Sequence, residues 1–292
     1  MLKYLSVFAL LAASTAMAEF SFEPRPIPPP PTPVPGSESV LFTASNHAVL
    51  SGEVSGPSVA NAMVQLAGLK TNDPILFLDT PGGSIDSGMN LVTMIVNSRR
   101  PVTCVSYFAA SMGFVITQAC HKRYILMNST LMQHQARFGV RGFEENFKTF
   151  SAYIFTMLNK MNTAQAKRMK ISVEAFDKAR EHDLWLYGED AVKAGAADKV
   201  VSASCTEDLL IEKKLVTEMT MFGPIKLVFS KCPLITDPLD IEFLNVYDDA
   251  KKAKIYDAYM GAGASRKRDP LPLMRENGVK SDETSFPAPS MR

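Results

Sequence analysis

The sequence predicts an α/β protein built on a largely parallel sheet, and two observations carry that reading. Short apolar runs suited to buried strands alternate with stretches of helical periodicity, in the order strand, glycine turn, helix, strand, small-residue turn, helix, strand. The connections are long enough to be helical crossovers, and such units are right-handed and lay their strands parallel.

The globular part begins near Val40. Gly56-Pro57 opens a helix, because proline early in a helix removes only a donor that lacks a partner there. Ala60, Met63, Val64 and Ala67 follow at helical spacing. Pro74 to Leu78 reads as a buried strand, broken sharply by Thr80-Pro81-Gly82-Gly83. Ile85, Met89, Val92 and Val96 mark the next helix. Val102 to Ser106 is a strand, followed by a helix from about Ala109 to Ala119. Arg123 to Met127 and Leu131 to Gln133 read as two short strands. A long helix from Phe143 to about Lys170 carries a wide apolar stripe through Phe147, Phe150, Ile154, Met157, Leu158 and Met161. Such a stripe is usually core, and here part of it is expected to form a subunit interface. Ser172 caps a shorter helix through Arg180, and Glu189 to Ala194 adds a turn or two stopped by Gly195. Beyond Ser202 the character changes. Residues 206–221 suggest another helix through Leu209, Leu210, Leu215, Met219 and Met221, and residues 261–292 have the composition of a disordered tail.

The 292 residues suffice for one large domain with appendages, and the net charge of +1 gives no field that calls for nucleic acid as a partner. Residues 1–18 combine Lys3, an apolar stretch and the small-x-small Ala16-Met17-Ala18, the pattern of a cleaved secretory signal. Residues 19–39 are a proline-rich linker. The layout is therefore signal (1–18), linker (19–39), catalytic-type domain (40–201), divergent and partly helical extension (202–260) and tail (261–292). A periplasmic or secreted location permits disulfides. Cys205 and Cys232, isolated in the C-terminal part, are expected to pair. Cys104 and Cys120 either pair or remain buried thiols.

Three residues suggest chemistry. Ser111 lies between small residues ahead of an apolar helix, where a hydroxyl can be held exposed at a strand-to-helix turn. Its ordinary role there would be a helix cap. His134 is one of four histidines and follows an apolar strand, a place from which it could face a cleft or simply sit hydrogen-bonded at a strand edge. Asp183 precedes Leu184-Trp185-Leu186 and could orient an imidazole, or serve as a cap or surface ion partner. His121, beside Cys120, has no matching oxyanion block and is set aside as a thiol partner, and His47 reads as an ordinary, partly exposed residue.

Four blocks, FLDTPGGSIDSGM, YFAASMGFVITQAC, NSTLMQHQARFGVRG and EHDLWLYGEDAVKAGAADKV, resemble those of the proteolytic subunit of the Clp protease family, in family order and at similar spacing over roughly residues 47 to 201. The resemblance implies the Clp/crotonase-like spiral fold. It implies Ser111 as nucleophile, His134 as general base and then acid, and Asp183 as orienting carboxylate. Gly83 and Met112 would supply the oxyanion-hole N–H groups. Neither a metal nor an organic cofactor is implied. Two departures stand out: His182 replaces the family's usual arginine before the acidic residue, and Gln135-Ala136-Arg137 replaces a segment in which the family usually has proline.

The expected function is a serine endopeptidase acting outside the cytoplasm on short or unfolded peptides. A homo-oligomer, ring or trimer, is expected, and a cytosolic ATPase partner is not, because ATP is not generally available after export. Three alternatives are weighed. A signal-peptide-peptidase-like relative would use a lysine base, which the sequence does not identify. A crotonase-type thioester enzyme would have no use for a complete triad. A non-catalytic structural subunit could retain the fold without the activity.

Overall fold

A computed structural model describes residues 38–139 and 143–261. The signal segment, nearly all of the proline-rich linker and the tail from residue 262 lie outside the described residues. The main sheet contains β1 (Ser39–Phe42), β2 (His47–Ser51), β3 (Ile75–Thr80), β4 (Thr103–Ala110), β5 (Lys122–Gln133), β6 (Leu184–Tyr187) and β7 (Lys199–Cys205). Its order is β1-β7-β5-β4-β3-β2, every neighbouring pair parallel, with β6 added antiparallel to the far end of β5. The expected α/β class with a mostly parallel sheet is thus present. Leu76, Phe77 and Leu78 are all fully buried, as a strand covered on both faces requires, which is why this strand reads as a continuous apolar run.

The helices that cover the sheet start where side chains can hold their first N–H groups. In α1 (Gly56–Gly68) Ser55 and Ser58 form a reciprocal capping box, and in α2 (Ile85–Val96) Ser84 accepts from the Ser87 N–H. The helix α3 (Met112–Ala119) is buried from Met112 through Gln118, so it is a core element rather than an amphipathic surface helix. By contrast α4 (Glu144–Met169) is wholly exposed from Glu144 to Phe150 and becomes buried only towards Asn162, Gln165 and Ala166. It ends on Lys170 in the left-handed conformation. Ser172 caps α5 (Val173–Ala179), as expected, and the short α6 (Glu189–Lys193) is followed by Gly195 at φ 73.

Several boundaries differ from the sequence reading. Ala109 and Ala110 close β4 rather than opening the next helix, because both continue the ladder to Leu131 and Met132. The two short strands expected at 123–127 and 131–133 are one strand with a register shift opposite Tyr107. The sheet also runs past residue 201, since Ser202 to Cys205 pair with β1. The largest correction is in 206–221. Only α7 (Glu207–Ile211) is helical, and β8 (Lys213–Thr220) follows. Leu215 and Met219 suit a helix face and one face of a strand equally, and the β-branched Val216, Thr217 and Thr220 favour the strand once a partner is present.

That partner is β9 (Gly223–Ser230), which β10 (Asp240–Phe243) joins to make a three-stranded antiparallel sheet. With α8 (Asp249–Met260), capped by Asp248, it encloses a small core of its own, including Ile225, Leu227, Ile241, Val246 and Ile255. Cys205 and Cys232 are disulfide-bonded as expected, linking β7 to the segment after β9. Cys104 and Cys120 are bonded too, which resolves the open alternative and ties β4 to the end of α3. Both of these sulfur-bearing residues are buried.

Candidate active site

The site is built where β3 and β4 end. After β3 the chain turns through Pro81-Gly82-Gly83, with Gly82 at φ 95 and Gly83 at φ 145. The buried Thr80 hydroxyl accepts from the Gly82 N–H and holds the turn. Val54 donates to the Gly82 carbonyl and accepts from Ser84, which leaves the Gly83 N–H outside this small ladder. A Cβ on Gly83 would lie 2.5 Å from the Val54 carbonyl oxygen, so only glycine fits.

Ser111 sits between β4 and α3 at φ 54, ψ −115, a strained conformation for a non-glycine residue. It precedes the helix, yet its hydroxyl makes no capping bond, so the ordinary explanation for a serine at this position does not apply. Its backbone N–H donates to the Met132 carbonyl at 2.9 Å, tying the turn to β5. Met112 opens α3, where first-turn N–H groups have no intrahelical acceptor. Its buried side chain packs so closely on Gly88 that a Cβ there would collide with it.

A cavity of about 310 Å³ brings Ser111, Met112, Gly83 and His134 together. His134 follows directly on β5. Its Nε2 is buried without a hydrogen-bond partner among the described residues, while Nδ1 lies 2.6 Å from the Gln135 carbonyl. A carbonyl can only accept, so Nδ1 carries the proton and Nε2 presents its lone pair. That is the tautomer a general base needs. The other histidines are employed elsewhere or exposed. His47 donates to the Thr43 carbonyl, and burial pushes its pKa down. His121 accepts from the Val102 N–H, and His182 is exposed.

Asp183 is exposed, has φ 62 and does not line the cavity. The β5–β6 ladder ends at the pair Gln133–Leu184, so His134 and Asp183 each lie one residue beyond it. The turn and the strand ends therefore bring Gly83, Ser111, Met112 and His134 to one cavity, with His134 Nδ1 bonded to Gln135, and leave Asp183 outside its lining.

Sequence reasoning missed two features. Gln133 lies buried beside His134 and meets Gln165 on α4. Arg180 lies between this cavity and an adjoining one of about 690 Å³, where it bonds Asp177 and covers the Phe176 ring. A glutamine directly after the apolar Leu131-Met132 at the end of β5 was a readable signal for the first. Nothing in the sequence order signalled the second.

A hydroxyl on a strained turn and an unpartnered imidazole nitrogen that share one cavity are among the parts that acyl transfer at a serine requires. The Clp protease family model matches residues 39–204, and the chain belongs to the Clp protease family. Membership supports a proteolytic function, and the residues beyond 204 form an extension of the family domain. The two disulfides point to an oxidising, non-cytoplasmic environment.

Proposed function

We propose that the protein is a serine endopeptidase of the periplasm or extracellular space that cuts short or unfolded peptides. The observation that carries this reading is the uncapping hydroxyl of Ser111 at φ 54, in one cavity with the unpartnered Nε2 of His134. In the reaction His134 Nε2 takes the Ser111 proton as Oγ bonds to the peptide carbonyl carbon. The Gly83 and Met112 N–H groups hold the oxyanion. The carbon–nitrogen bond then breaks, and the leaving amine takes the proton from His134. Water, deprotonated by the same nitrogen, releases the acyl group. Asp183 receives Nδ1–H in the working state, replacing the Gln135 carbonyl. No lysine lines the cavity among the described residues, which favours the histidine base over a lysine-base relative.

The exposed aromatic residues of α4, including Phe147, Phe150 and Phe155, support assembly into a homo-oligomer, a ring or a trimer. The Clp/crotonase-like spiral arrangement belongs to the same reading. The test uses a short-peptide library and a fluorophosphonate probe on the full chain and on Ser111→Ala. The expected outcome is cleavage and labelling at Ser111 by the former. The variant loses ~10⁶-fold in kcat, the scale on which removal of a serine nucleophile acts. A folded oligomer that neither cleaves nor labels would establish the structural-subunit alternative instead.

A further inference from the structure

Resting on the reading of Ser111 and His134 as nucleophile and base, we propose that Gln133 and Gln165 are positioning residues, a buried pair of amides that holds the backbone of His134 to α4. The main-chain ladder cannot do this. The pairing of β5 with β6 stops at Gln133–Leu184, so His134 is the first residue beyond it. Ser111 is tied to the same strand one rung earlier, through its N–H and the Met132 carbonyl. The nucleophile is thus held by main chain, whereas the base is held by a side chain.

The link runs in one direction. The His134 N–H donates to Gln133 Oε1 at 3.0 Å. Gln133 Nε2 donates to Gln165 Oε1 at 2.5 Å, and Gln165 Nε2 donates to the Met161 carbonyl at 3.2 Å. A backbone N–H can only donate and a carbonyl only accept, so the two ends fix the orientation of both amides. Neither can flip without setting like groups against each other. Gln133 is 4% exposed and Gln165 2%. Buried amides are costly unless bonded, and an apolar pair would fill the same gap between β5 and α4 more simply. What the amides supply and an apolar pair cannot is an acceptor for the His134 N–H. That acceptor holds the His134 backbone, and with it the imidazole, at the cavity that Ser111 also lines.

Two variants separate positioning from packing. Gln165→Leu leaves the Gln133 donor buried without an acceptor, and is expected to lower both Tm and kcat. The double variant Gln133→Met/Gln165→Leu removes both amides, so Tm returns towards the wild-type value. The His134 N–H still lacks its acceptor, and kcat stays about tenfold to a hundredfold down with KM within about twofold, the size of effect that small misplacements of a catalytic group produce. Imidazole ¹⁵N shifts at one fixed pH give a second readout. Wild-type His134 shows the single Nδ1–H form, and the double variant a mixture of tautomers. Wild-type kcat and unchanged ¹⁵N shifts in the double variant would show that the pair is packing alone and overturn the proposal. If the wild-type chain cleaves no peptide, the peptidase reading fails and the ¹⁵N shifts decide alone: a tautomer mixture in the double variant supports the positioning role, and an unchanged spectrum refutes it.

Discussion

Gly82 shows how narrowly the backbone around Ser111 is specified. A Cβ there would lie 2.6 Å from the Ser111 Cβ and 2.9 Å from the Met112 nitrogen, at a φ of 95 that L-residues avoid. Gly82→Ala therefore pushes directly on the nucleophile and on one oxyanion donor. On the peptidase reading, steady-state kinetics are expected to show a loss of about 100-fold in kcat, the effect of losing one such donor. Gly68, at the end of α1, meets nothing within 4 Å. Gly68→Ala is expected to leave kinetics unchanged and to stabilise the fold by about 0.5 kcal/mol in denaturant unfolding, by narrowing the unfolded ensemble. At this scale the sequence was informative where a residue's type is forced. Ser111 among small residues and the glycine pair could be read directly, because few alternatives satisfy that geometry. The partner of His134 Nδ1 could not be read, since the choice between Gln135 and Asp183 depends on a local loop conformation that residue identity does not dictate.

Elements hold together here through buried polar staples as well as apolar faces. Arg123, at the start of β5, is almost fully buried and reaches Asp198, Gln118 and the Gly195 carbonyl, which joins β5, α3 and the entry to β7. Burial would raise the Asp198 pKa, but the hydrogen bonds and charge of Arg123, helped by Arg168, outweigh it and hold the carboxyl below its usual range. The stabilisation is therefore complete above pH ~4, the pKa of an unfolded aspartate, and is lost as pH falls through the lower folded value. Asp198→Asn is expected to cost about 2 kcal/mol at pH 7, less than a fully buried pair because the carboxylate is 36% exposed. Urea unfolding against pH should show that the gap between wild type and variant closes in acid. The alternation of strands and helices from α1 to α5 was legible because buried parallel strands and glycine turns leave strong local signals, whereas the short strands β1, β2, β6 and β7 were not read. The reading failed at β8. An alternating pattern and a helical one overlap over eight residues, and the deciding contact, β9, comes later in the chain.

For the whole molecule, the extension is not a loose appendage to the family domain. The Cys205–Cys232 bond closes a loop of sequence separation 27 and anchors the second sheet at β7. Loop-closure entropy puts its contribution at about 3.5 kcal/mol. Cys205→Ala/Cys232→Ala is expected to lose that stability in urea unfolding, with amide exchange rising first in β8 to β10 and the parallel sheet remaining protected. The existence of the extension was legible from the change in composition after residue 202. Its sheet was not, because a small antiparallel unit stabilised by a covalent tie needs little of the apolar periodicity that marks a core. The other disulfide has a consequence for how the protein is made. Cys104 and Cys120 both lie in the closed core and bracket the turn that carries Ser111. No oxidase can reach them once the sheet and helices have met. The chain must therefore acquire this bond while still open, before final collapse, and the oxidising environment in which it folds has a share in building the site.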